Sequence, residues 1–183
     1  LGHYPLIADP TGIIGPDPPQ AGEFRLCKPV RKIRSNSTSV TGKVPFQGLG
    51  RTIRYESTNE RDFLLVLRES PIPLGVLEQP LTLDPRQLGF DGRRYTPDFA
   101  IWILDPHRHA PRTVLIEIKP DSFLAEDLDW YRQRLMAARR FCRNNGWTFR
   151  LITDRRFRSR EVPEVVWPSF YVPPVPLLSA ESL

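Results

Sequence analysis

The stretch RRYTPDFAIWILDPHRHAPRTVLIEIKP, residues 93–120, decides how this chain is read. Two runs rich in β-branched and aromatic residues flank a short polar loop, which is the sequence pattern of a hairpin. Charge stands where strands avoid it. Asp98 follows Pro97 near the start of the first run, and Glu117 and Lys119 end the second. Strand residues two apart share a face, so Glu117 and Lys119 project together while Ile116 and Ile118 point the other way. Pairing the runs brings the Asp98 end and the Glu117 end to one edge of the sheet. Buried carboxylates repel each other unless a cation or a proton intervenes. Two at the ends of adjacent strands suit Mg²⁺, which takes few carboxylates and keeps several waters. A lysine beside them can orient or deprotonate a metal-bound water and offset phosphate charge. Singly, each residue has a plainer reading: Asp98 starts a turn, and Glu117 and Lys119 pair on one face.

Outward from this stretch the periodicities predict one α/β unit. Ser57 or Thr58 opens a helix that runs to about Glu69 and is stopped by Pro71 and Pro73. Phe63, Leu64 and Leu67 form its apolar stripe, and Glu60 lies one turn before Leu64. Val76 to Leu83 alternates as a strand, and Asp91-Gly92 marks a turn before the strands Arg94–Leu104 and Pro111–Lys119. His107 and His109 fall in the loop between these two, which reads as solvated rather than metal-binding. A helix is expected over Leu124–Asn145, closed by Asn144-Asn145-Gly146. Leu128, Tyr131, Leu135, Ala138 and Cys142 repeat along its buried face. Arg132, Arg139 and Arg143 form a row at the edge of that face. Such a row can clamp phosphates, although for Arg143 complementing the helix dipole is the simpler role. Trp147–Thr153 reads as a last strand.

Both ends of the chain read as irregular. Residues 1–22 hold five prolines and four glycines without any period. From Lys28 to Arg54 the sequence turns basic, and Arg31, Lys32, Arg34 and Lys43 could follow a phosphate backbone or merely solvate a linker. The tail is again proline-rich, with Trp167, Phe170 and Tyr171 as candidate anchors for a partner. The expected division is an arm over 1–51, a domain over 52–160 and a tail over 161–183.

Of 183 residues, 40% are hydrophobic and 26% charged, with a net charge of +5. That supports one domain with a real core and leans towards a polyanionic partner. Cys27 and Cys142 have no metal or redox spacing, which suits a reducing cytoplasm. No apolar run approaches the ~20 residues of a membrane span.

Pro97-Asp98 followed by Glu117-Ile118-Lys119 resembles the PD-(D/E)XK nuclease signature. With TGK at 41–43, ESTNERDFLLVL at 56–67, EQP at 78–80, RRYTPDF and LIEIKP, residues 30–158 are similar to the TnsA-type endonuclease subunit of heteromeric, Tn7-like transposases. The resemblance implies an αβββαβ core, a mixed four-stranded sheet flanked by helices, and a metal-dependent DNA endonuclease that cuts the 5′ ends of a mobile element. It implies Mg²⁺, with Mn²⁺ as a substitute, held by Asp98, Glu117 and the Ile118 carbonyl. Lys119 would position the attacking water. Glu60 would be a further active-site acid, with Glu56 as its alternative, and Gln79 of EQP would lie near the site. Implied partners are double-stranded transposon-end DNA, a transposase subunit and a regulatory AAA+ ATPase. Family members bind that ATPase through a C-terminal helical domain, for which residues 161–183 are the only substitute here. Two rival readings share the features: a stand-alone restriction-type or phage nuclease, and a catalytically silent DNA-binding scaffold. A silent scaffold has no reason to keep mutually repelling carboxylates.

Overall fold

A computed structural model describes residues 13–14, 28–31, 40–70, 73–105, 110–126 and 128–154. His107 and His109, Lys32, Arg34 and the whole tail lie outside them.

Strand β1 (Ile13–Ile14) comes first, then β2 (Gly42–Phe46) and β3 (Arg51–Tyr55), α1 (Thr58–Arg68), β4 (Pro73–Glu78), β5 (Thr82–Leu83), β6 (Phe99–Asp105) and β7 (Ala110–Lys119). Helices α2 (Asp121–Glu126) and α3 (Leu128–Asn144) lead to β8 (Thr148–Thr153). The main sheet is mixed and four-stranded, in the order β4-β6-β7-β8. β6 runs antiparallel to both β4 and β7, and β7 and β8 run parallel. Parallel neighbours need a crossover, and α2 and α3 supply it.

The two faces of the sheet bury separate clusters, as period-2 strands require. On one face Val76, Ile101 and Ile116 pack with Phe63, Leu64 and Leu67 of α1. The Phe63 ring lies 5.8 Å from that of Phe99. On the other face Ala100, Trp102 and Leu115 meet Ala137, Ala138 and Phe141 of α3. Each large apolar side chain buried in this way contributes about 1.5–3 kcal/mol.

Four expectations need correction. The stretch taken as an irregular arm over 1–51 contains β1, which pairs with β5, and most of the β2–β3 hairpin. Val44, Phe46 and Ile53 of that hairpin are buried against α1, so Lys43 and Arg54 are the outward half of an alternating pattern, while Arg51 shares the inner face with Ile53 and pairs with Glu78 at 3.5 Å. The strand expected over 76–83 breaks at Gln79, whose φ of 44° no strand can adopt. The strand expected from Arg94 begins at Phe99, and only Tyr95 bridges, to Leu83. The single helix expected over 124–145 divides into α2 and α3. The helix over residues 58–68 and the strand over 148–153 stand as read, and Gly146, at φ 68°, ends α3 as its sequence announces. Among the described residues no helix is long and apolar enough to cross a membrane.

Candidate active site

The site forms where β6 begins and β7 ends. Phe99 faces Ile116 in the antiparallel register, so the next pair outward is Asp98 and Glu117. Two bonds hold Asp98 in place. The Gln79 amide donates to its carbonyl oxygen at 2.8 Å, and the Ile118 amide donates to its Oδ2 at 2.7 Å. Glu117 and Lys119 lie on the α3 side of the sheet with Leu115, while Ile116 and Ile118 belong to the α1-side cluster.

Glu117 is 1% exposed. Its Oε1 takes two partners, the Lys119 ammonium at 2.5 Å and the Tyr131 hydroxyl, which donates at 2.5 Å. Its Oε2 is buried and has no hydrogen-bond partner. Tyr131 comes from the first turn of α3, and its ring sits edge-on to Tyr95 and Phe123. The Lys119 Nζ stands 5.1 Å from the centre of the Tyr131 ring. In the sequence Tyr131 is only one member of an apolar stripe. Nothing in helical spacing says that the far end of a buried tyrosine meets a strand carboxylate. The general rule that a buried tyrosine hydroxyl finds a partner was the one available signal.

Glu60 belongs to a capping box at the start of α1. Ser57 Oγ accepts from the Glu60 amide at 3.1 Å and donates to Glu60 Oε1 at 2.9 Å, and the Glu56 amide donates to Oε2 at 2.8 Å. The charge of Glu60 nonetheless bears on both Asp98 and Lys119. Glu56 is turned to Arg31, whose Nη2 pairs with its Oε2 and whose Nε donates to Gln79 Oε1 at 3.0 Å. Gln79 thus sits between the two acid-bearing elements. It is buried, and its side-chain oxygen serves Arg31 rather than the backbone. Arg31, expected on DNA, is engaged within the protein. Lys43 is exposed on β2, and Arg132 and Arg139 flank a groove beside β8.

Burial, with Glu117 next, pushes the Asp98 carboxyl well above its ordinary range, and Lys119 only partly offsets this. Burial likewise raises Glu60, against its hydrogen bonds to Glu56 and Ser57. For Lys119 burial acts downward, but the charges of Glu117 and Asp98 outweigh it and the amine is held above its usual value. Lys119 is therefore an ammonium in this state, fit to orient a water or offset phosphate charge and not to remove a proton.

A divalent cation fits this donor set. One buried carboxylate oxygen is left without a partner, and the opposite carboxylate is unfavourable as an anion until positive charge arrives. Among the described residues no three Asp, Glu, His or Cys side chains stand together as an ion's ligands, and the candidate cation site is the Asp98–Glu117 pair.

The family model described as "TnsA-like endonuclease N terminal" matches residues 74–154, from β4 to the end of β8. Asp98, Glu117, Lys119 and Tyr131 lie inside the match and Glu60 lies before it. No curated protein matches the chain. Over residues 74–154, with the paired strand carboxylates at their centre, the chain is similar to the TnsA-like endonuclease N-terminal family.

Proposed function

We propose that this chain is a Mg²⁺-dependent DNA endonuclease that cuts the 5′ ends of a mobile element within a heteromeric transposase in the cytoplasm. The observation that carries the reading is the partnerless, buried Glu117 Oε2 in register with Asp98. Asp98 and Glu117 would hold the cation, with Mn²⁺ as a substitute and the Ile118 carbonyl as a further ligand. The bound cation supplies Lewis-acid polarisation of the phosphoryl oxygen and an acidified water. The protein's own groups do the remaining work. Lys119, kept protonated by its carboxylate neighbours, orients the nucleophilic water and offsets charge on the scissile phosphate. Glu60 adds negative charge beside the pair and draws water or a second cation towards it.

Tyr131 has a positioning role. With Lys119 it saturates Glu117 Oε1, which leaves Oε2 as the oxygen offered to a cation. Tyr131→Phe keeps the ring contacts and removes only the hydroxyl. Partners of this kind cost about 10–100-fold in metal affinity or activity when lost. We expect a drop of about tenfold in Mn²⁺ affinity, read by titration calorimetry, with little change in melting temperature.

The assay that tests the reading is incubation with Mg²⁺ and element-end DNA, with and without a transposase subunit assembled on those ends. Cutting at the element's 5′ ends is expected only in the assembly. Cutting at a defined sequence by the chain alone, at full rate, would favour a restriction-type nuclease instead.

A further inference from the structure

The sheet ends at β8, which pairs with β7 alone among the described residues. Between this outer strand and the flank of α3 runs a groove of about 380 Å³. Its floor is apolar, made by Leu135, Met136, Phe149 and Leu151, and its rim is Arg132, Arg139 and Arg150. Among the described residues no acidic side chain lines it. Arg150 alternates with Phe149 and Leu151 along β8, so it reaches the groove around the outer side of that strand. Burial and then the charges of Arg112 and Arg139 push its pKa down, as expected where guanidiniums crowd together. Arg112 is fixed at the start of β8, where its Nε donates to Thr148 Oγ1 at 2.9 Å.

The groove opens beside the acid pair. Leu151 is the register partner of Glu117, and Arg132 follows Tyr131, whose hydroxyl holds Glu117. From there it runs along α3 to Arg139, about 10 Å, which is the axial rise of roughly three phosphate-to-phosphate steps of one strand.

We propose that this groove carries the sugar–phosphate backbone of the DNA strand leading away from the cutting site, with Arg139 and Arg150 as its phosphate contacts. The inference rests on the nuclease reading above. Guanidiniums match phosphate oxygens in planar, bidentate fashion, and the C–H faces of the sugars cover the apolar floor. Arginines on an edge strand also discourage edge-to-edge pairing, but that purpose does not require them to converge on one groove. An acidic protein segment would meet the same charges. DNA is favoured because the groove starts at the residues that would cut a phosphodiester.

The test compares the full chain with its Arg139→Ala/Arg150→Ala double variant. Both bind a duplex oligonucleotide over a range of salt concentrations, without divalent cation so that no cutting occurs. Each lost phosphate contact removes about 0.9 from the slope of log affinity against log salt, so the slope should fall by roughly two, equally for unrelated sequences. Mn²⁺ affinity should not change. The Arg139→Lys/Arg150→Lys pair, which keeps the charge, should retain the slope with weaker binding. A wild-type slope in the alanine pair overturns the proposal, and so does an unchanged slope with lost transposase assembly, which would identify a protein occupant. A wild-type chain that binds no duplex at all would overturn the nuclease reading as well.

Discussion

Asp98→Asn will abolish Mg²⁺-dependent strand cutting, by about 10³-fold or more, and leave the protein as stable as before or more so. The amide keeps an oxygen for the Ile118 N–H and removes one of two facing negative charges. Thermal unfolding without divalent cation reads the stability side, and its pH dependence has a definite sign. The folded Asp98 pKa lies above the unfolded value of about 3.9. Between those two values the native state holds a proton that the unfolded chain has released, so wild-type stability falls as pH rises through that window. Asparagine does not titrate. The variant's advantage should therefore be absent near pH 4, grow as pH rises, and level off above the folded pKa. A variant that cuts normally would end the nuclease reading. One whose advantage shrinks with pH would contradict the electrostatic account.

Lys119→Ala will also stop cutting, by about 10²–10³-fold, but with the opposite effect on stability. Here the substitution leaves a buried carboxylate without its counter-charge. Lys119 is the ion-pair partner of Glu117 and stacks its ammonium over Tyr131. Breaking one side of a buried pair costs 3–5 kcal/mol, and since the Lys119 side chain is 22% exposed we expect roughly 3 kcal/mol. Neutralising the stranded partner tests the cause. Lys119→Ala/Glu117→Gln should recover most of the lost stability and none of the cutting, a non-additivity read from denaturant unfolding of the two single variants and the double. If Lys119→Ala proved as stable as wild type, the pair would not be the buried contact described here.

Much of this site was legible in sequence because a strand has only two faces. With residues 94–119 read as a hairpin, parity alone puts Glu117 with Lys119, and the spacing puts Asp98 opposite them. The register bears this out. What was not legible depended on contacts between elements distant in the chain. Gln79 takes up a left-handed conformation that glutamine rarely adopts, because Val30, Arg31 and Asp98 all bond to it. No local preference announces that, so one expected strand became β4 and β5. The β2–β3 hairpin shows a different failure. Val44 and Phe46 alternate with Lys43 and Pro45, a readable strand period that the basic run around it masks. Arg150 lies in a strand that stands as read, and Tyr131 in the longer piece of the helix that divides. Their parts in the account arise only when α3 is laid over β7 and β8.

The central claim is that Asp98 and Glu117 together form a divalent-cation site, and Mn²⁺ titration of the full chain by calorimetry tests it most directly. Saturable binding by the wild type, lost in both Asp98→Asn and Glu117→Gln while both variants unfold cooperatively, is the predicted result. Equal Mn²⁺ affinity in the wild type and the two variants would contradict it.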